Sequence, residues 1–123
     1  MNKKSTLSLR KQLHKYPELS NLEIETALRI KSFFLTLKPD NIIETIGGTG
    51  IAFEFFGSEY KNYSHDLENN HLQHHPTLLL RCELDALPIQ EINDFDHQSV
   101  NQTVSHKCGH DGHMAILCEV GKY

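Results

Sequence analysis

Thr77-Leu78-Leu79-Leu80-Arg81-Cys82 is a continuous apolar run of strand length. A strand without polar alternation has to be covered on both faces, so the run predicts a central strand in a sheet sandwiched by helices. The fold class expected from it is α/β. Beyond its C-terminal end come Glu83-Leu84-Asp85-Ala86-Leu87-Pro88. Sites in open α/β sheets gather beyond the carboxyl ends of strands, which makes Asp85 a candidate to act in one.

The covering helices are expected upstream. Leu7, Leu9 and Leu13 lie among polar residues between about Ser5 and Lys15, an amphipathic pattern that must stop before Pro17. Tyr16-Pro17-Glu18-Leu19 is then a connector, and Ser20-Asn21-Leu22-Glu23 has the form of a capping box opening a second helix. That helix carries Ile24, Ala27, Leu28, Ile30, Phe34 and Leu37 at helical intervals and ends at Lys38-Pro39-Asp40-Asn41. Next, Ile42–Ile46 and Ile51–Phe56 read as two strands joined by a Gly47-Gly48-Thr49-Gly50 turn. The glycine run is not a phosphate loop, because a β-prone segment follows it and no Gly-Lys-Ser/Thr is present.

Residues 58–75 are polar and aperiodic, and four histidines among them (His65, His71, His74 and His75) read as a solvated excursion. Ile89 to Val104 is a second polar loop, to which no chemistry is assigned.

At 123 residues the chain holds one domain or part of one. A net charge of -4 argues against a nucleic-acid partner. No stretch is long enough to span a bilayer, and the basic start lacks the apolar core of a signal peptide. Three cysteines, Cys82, Cys108 and Cys118, are an odd set at irregular spacing, which fits reduced thiols better than a disulfide framework and a cytoplasmic protein best.

The chemistry concentrates in Ser105-His106-Lys107-Cys108-Gly109-His110-Asp111-Gly112-His113. A thiol, three imidazoles and a carboxylate around two glycines form a metal-competent set, and thiolate with imidazole suits zinc, manganese or another transition metal rather than calcium or magnesium. Cys108 and His110 are the expected metal ligands, with Gly109 between them allowing a close turn. Asp85 would accept a hydrogen bond from a ligating imidazole and fix its tautomer. The roles of His106 and His113 stay open, since each could cap or pack instead. A zinc finger is not expected, because no second ligand pair follows.

Four blocks, in this order along the chain, resemble the amidohydrolase branch of the M20 metallopeptidase family, which includes N-acyl-amino-acid amidohydrolases, hippurate hydrolases and auxin-conjugate hydrolases. They are Arg10–Ser20, Gly47–Ile51, Leu80–Glu91 and His106–His113. The resemblance implies a three-layer α/β/α zinc-peptidase-like catalytic domain with a mixed sheet, of which residues 1–123 are the N-terminal portion. It also implies two divalent metal ions (Mn, Zn, Co or Ni) and a metal-activated water that cleaves the amide bond of an N-acyl amino acid. On it, Cys108 and His110 become metal ligands and Asp85 a catalytic carboxylate beside them. Family members continue with a Glu-Glu pair carrying the general base, further ligating histidines and a lid domain that mediates homodimerisation, so the 123-residue chain is expected to be inactive alone. The family usually has Ala-Asp where this chain has Cys82-Glu83, and Ala where it has Lys107, a cation beside a metal loop. The alternatives are a non-enzymatic metal-binding module and a degenerate fragment.

Overall fold

The computed structural model describes residues 3–58 and 76–123. Its elements are helix α1 (Lys3–Lys15), helix α2 (Ile24–Leu35), strands β1 (Asn41–Ile46) and β2 (Gly50–Glu54), and helix α3 (His110–Val120). The expected histidine-rich excursion lies almost entirely outside the described residues.

α1 and α3 pack on one another, and α2 packs on α3 and β2. The core they enclose is Leu13 from α1, Ile30, Phe33 and Phe34 from α2, and Met114 and Cys118 from α3, with Phe53 of β2 and Cys82 and Leu84 against it. Leu13, Met114 and Cys118 are fully buried. Phe53 stacks on Phe34 with ring centroids 4.3 Å apart, which fastens the hairpin to α2.

α1 stops where Pro17 requires it, and α2 starts at Ile24, but the capping box does not form. Glu23 stands at the N-cap without a side-chain cap bond and is buried, accepting from the Thr49 hydroxyl at 2.8 Å. The Glu18 carboxylate does the capping instead, accepting from the N–H groups of Thr26 (2.7 Å) and Glu25 (3.2 Å). Two otherwise unpaired donors of the first turn are satisfied from outside the helix, and an anion sits at its positive end. Only part of the expected stripe is inside: Ala27, Ile30 and Phe34 are buried, whereas Ile24 and Leu28 are exposed.

β1 and β2 form the expected antiparallel hairpin, with an irregularity between Ile43 and Ile46 where Thr45 takes a positive φ. The expected strand at Thr77–Cys82 is not found. It joins no ladder among the described residues, and Leu78 and Leu79 are 82% and 84% exposed. A strand buried on both faces needs neighbours at both edges and layers above and below, and the described sheet has only β1 and β2, which pair with each other. β-type pairing begins just after the run, where Leu19 bridges Ala86 in parallel and Leu87 bridges Ser105 antiparallel. These two bridges hold the Glu83–Pro88 segment between the α1–α2 connector and the Cys/His loop.

Candidate metal centre

α3 begins at His110, four residues before the apolar Met114 stretch, so the second half of the Cys/His loop is helix. Gly109 is its N-cap at φ 92, a left-handed conformation that costs glycine little, and no atom lies within 4 Å of where a Cβ would stand. The glycine is therefore required by the backbone turn rather than by crowding. The turn exposes Cys108 and leaves His110 half-buried on the first turn of α3.

His110 meets the Asp85 segment directly. Its Nδ1 lies 2.9 Å from the Asp85 backbone carbonyl and 3.1 Å from Asp85 Oδ1. A carbonyl oxygen can only accept, so Nδ1 donates, and in the neutral ring Nε2 keeps its lone pair. Glu83 Oε2 lies 4.0 Å from His110 Nε2 and 4.0 Å from His113 Nδ1. One ligand atom from each of Glu83, His110 and His113 falls within 4.8 Å of the other two. Carboxylate with two imidazoles, one of them aimed by a hydrogen bond on its other nitrogen, is a donor set that fits a divalent transition ion.

The expected residues thus divide. His110 and Asp85 are together, and Cys108 lies outside the group of three as an exposed thiol. Of the two open histidines, His113 joins the group and His106 is buried. Neither His106 ring nitrogen has a partner among the described residues, and burial holds its imidazole below the ordinary value. Glu83 stands where the family usually has Asp, and the carboxylate retained there is what reaches both imidazoles.

Behind this site runs a buried network that sequence reasoning missed. The His14 ring, 8% exposed on the last turn of α1, has Nδ1 2.9 Å from Asp111 Oδ2 and Nε2 3.0 Å from Glu91 Oε1. Glu91, in the loop assigned no chemistry, also accepts from Lys107 Nζ at 2.6 Å, from the Ser99 N–H at 2.7 Å and from Asn93 Nδ2 at 3.0 Å. Burial alone would raise its carboxyl, but these donors, Lys107 first, outweigh burial and hold it down at about 2. Lys107 is thereby neither loose in solvent nor a free cation beside the site. One signal was available: Glu91, His14, Lys107 and Asp111 all lie in the blocks that carry the family resemblance.

No family model matches the chain. It is 38% identical over 116 residues to YhaA of Bacillus subtilis, a protein named as an amidohydrolase, covering 94% of this chain and 26% of that protein. An uncharacterised hydrolase of Staphylococcus epidermidis is 43% identical over 110 residues, 88% of this chain and 24% of that protein. Among solved structures, the Bacillus subtilis YXEP protein, a dinuclear metal-binding peptidase of the M20 family, superposes with a TM-score of 0.78 at 28% identity, over 97% of this chain and 30% of that one. The chain is M20-like, in sequence and in fold. A crystal structure described as an aminohydrolase from methicillin-resistant Staphylococcus aureus agrees, with a TM-score of 0.72 at 30% identity over 95% of this chain and 27% of that one. This M20-like chain spans about a quarter of the length of the curated relatives it matches.

Proposed function

We propose that the protein to which these residues belong is a metal-dependent amidohydrolase that cleaves the amide bond of N-acyl amino acids. The observation that carries the reading is the aimed His110 imidazole, whose protonated Nδ1 is held by Asp85 while Nε2 faces Glu83 and His113. Cys108 and His110 serve as metal ligands, Glu83 and His113 converge beside His110, and Asp85 is the carboxylate that orients the imidazole. The chemistry supplied by two bound divalent ions (Mn, Zn, Co or Ni) is water activation and polarisation of the scissile carbonyl. The chain's own residues hold the imidazole in one tautomer, place carboxylates beside it and keep the thiol accessible.

Residues 1–123 are the N-terminal portion of the catalytic domain, and by themselves they turn over no substrate. A lid domain elsewhere in the parent mediates homodimerisation. Three free thiols fit a reducing compartment, and the cytoplasm is the proposed location. No helix among the described residues is long and apolar enough to cross a membrane.

The test is titration of the chelator-treated protein with Mn²⁺, Zn²⁺, Co²⁺ and Ni²⁺, followed by assay on a panel of N-acyl amino acids. Turnover should depend on added metal and vanish in His110→Ala and Cys108→Ser. Turnover indifferent to chelation would sink the reading. Robust turnover by the 123-residue chain alone would show that it is not merely part of the machinery.

A further inference from the structure

We propose that His14 is a positioning residue for the metal-ligand segment: its imidazole bridges the two buried carboxylates, Glu91 and Asp111, that anchor opposite ends of the Lys107–Asp111 stretch. The proposal rests on the reading of Cys108 and His110 as metal ligands. Lys107 immediately precedes Cys108 and is tied to Glu91 at 2.6 Å. Asp111 immediately follows His110 and receives His14 Nδ1 at 2.9 Å and Arg10 Nε at 3.3 Å. The remaining His14 nitrogen faces Glu91 at 3.0 Å, so a single ring joins the two anchor points.

The stretch between the anchors needs such a tie. Gly109, at φ 92 and with no atom within 4 Å of where a Cβ would stand, turns the chain between Cys108 and His110; its carbonyl is held by the N–H groups of Gly112 and His113, but it has no side chain with which to fix the turn on its Cys108 side. The ends must therefore be held relative to one another for Cys108 and His110 to keep their separation. His14 is suited to this because its helix packs on α3 and its neighbour Leu13 is fully buried in the core. With both of its nitrogens facing carboxylate oxygens, the ring satisfies the network in full only when both donate. Removing the ring leaves Glu91 with Lys107 and Ser99, and Asp111 with Arg10. Each end keeps an anchor, but the link between the two is gone.

The experiment is Co²⁺ titration of the parent protein that contains residues 1–123, followed by the thiolate-to-cobalt charge-transfer band. It is paired with hydrogen exchange of the His113 amide, which donates to the Gly109 carbonyl at 3.1 Å. Three variants are compared with the parent: His14→Gln, Lys107→Gln and, as a control for general destabilisation, Leu13→Ala. The expected result for His14→Gln is about tenfold weaker cobalt affinity, the low end of what outer-shell ligand partners contribute, with faster exchange at His113. Lys107→Gln gives a decision by sign. Removing a cation near the site strengthens cobalt binding if only charge matters, and weakens it if the tie matters. Tighter or unchanged binding in Lys107→Gln overturns the proposal, and does so even if His14→Gln fails to fold. Equal weakening in Leu13→Ala overturns it too, since the effect is then global. Absence of the charge-transfer band in the unsubstituted parent protein overturns the metal-ligand reading and this proposal together. A normal band in the parent that persists at full affinity in His14→Gln overturns this proposal alone.

Discussion

Glu91→Gln is the sharpest perturbation of the buried network. The carboxylate accepts its two shortest bonds from Lys107 Nζ at 2.6 Å and from the Ser99 N–H at 2.7 Å. Glutamine has nearly the same shape but carries no charge, and its amide NH₂ turns a donor toward groups that are themselves donors. Glutamine keeps one acceptor oxygen, so one bond to an ionised acceptor is lost and the other loses its charge; at about 1.5 to 3 kcal/mol for a charge-assisted bond, the cost is about 3 kcal/mol. Lys107, whose side chain is 26% exposed, recovers part of that by turning to water, which leaves about 2 to 3 kcal/mol at pH 7. That is a large share of the 5–15 kcal/mol, roughly, that stabilises an ordinary domain.

The pH dependence supplies an independent check on the same residue. The Glu91 carboxyl is lowered from 4.5 to about 2 in the folded chain. A lowered carboxyl stabilises the folded state above its unfolded value, and that contribution is lost as pH falls from about 4.5 toward 2. Urea unfolding followed by circular dichroism, run at pH 7 and at steps down to the acid limit of folding, should show the gap between parent and Glu91→Gln closing over that window. A variant within about 0.5 kcal/mol of the parent at pH 7 refutes the reasoning, because that is the range of an ordinary surface substitution. So does a gap that stays constant with acidification.

Other substitutions read other parts of the fold. Glu18→Ala removes the carboxylate that caps α2 and should cost about 1 kcal/mol in thermal or urea unfolding, whereas Ser20→Ala, at the unformed capping box, should cost almost nothing. Gly109→Ala should cost about 1 kcal/mol through backbone strain alone, since φ is 92 and the added methyl meets no atom; a clearly larger loss would mean that packing also operates there. Iodoacetamide at pH 8 should label Cys108 and spare Cys82 and Cys118, as read by peptide mass spectrometry. Burial pushes the Cys118 thiol up to about 12, and burial together with the neighbouring Glu83 charge pushes Cys82 up to about 11.

Much of this chain could be read from local order. Pro17 ends α1, the spacing of Ile30 and Phe34 puts them in one stripe, and Gly47-Gly48 turns a hairpin, because each depends on residues a few positions apart. The crowding of Cys108, His110 and His113 around two glycines reads as a metal loop, and of these three the fold gathers His110 and His113 with Glu83 and leaves Cys108 outside that group. Asp85 reads as the partner of an imidazole because it follows the apolar run, and it does meet His110 Nδ1 although that run forms no strand among the described residues. What sequence order could not supply was which distant groups meet. His14 and Glu91 are 77 positions apart, and His14 and Asp111 97 apart. Apart from its place at the end of the Leu80–Glu91 block, nothing local distinguishes Glu91 from Asp94 or Asp96; it becomes a buried anchor only when α1 docks on α3 and brings His14 and Lys107 to it. The same limit misread Thr77–Cys82, since an apolar run states that a segment prefers to be covered without stating what covers it. Local spacing decides helices, turns and the inventory of donors, whereas the meeting of Glu83 with His110 and His113, and of His14 with both carboxylates, is decided by the packing of α1 and α3 and the bridges at Ala86 and Leu87. Hydrogen bonds and metal ligation act over a few ångströms, and only the folded chain brings residues so far apart in sequence within that reach.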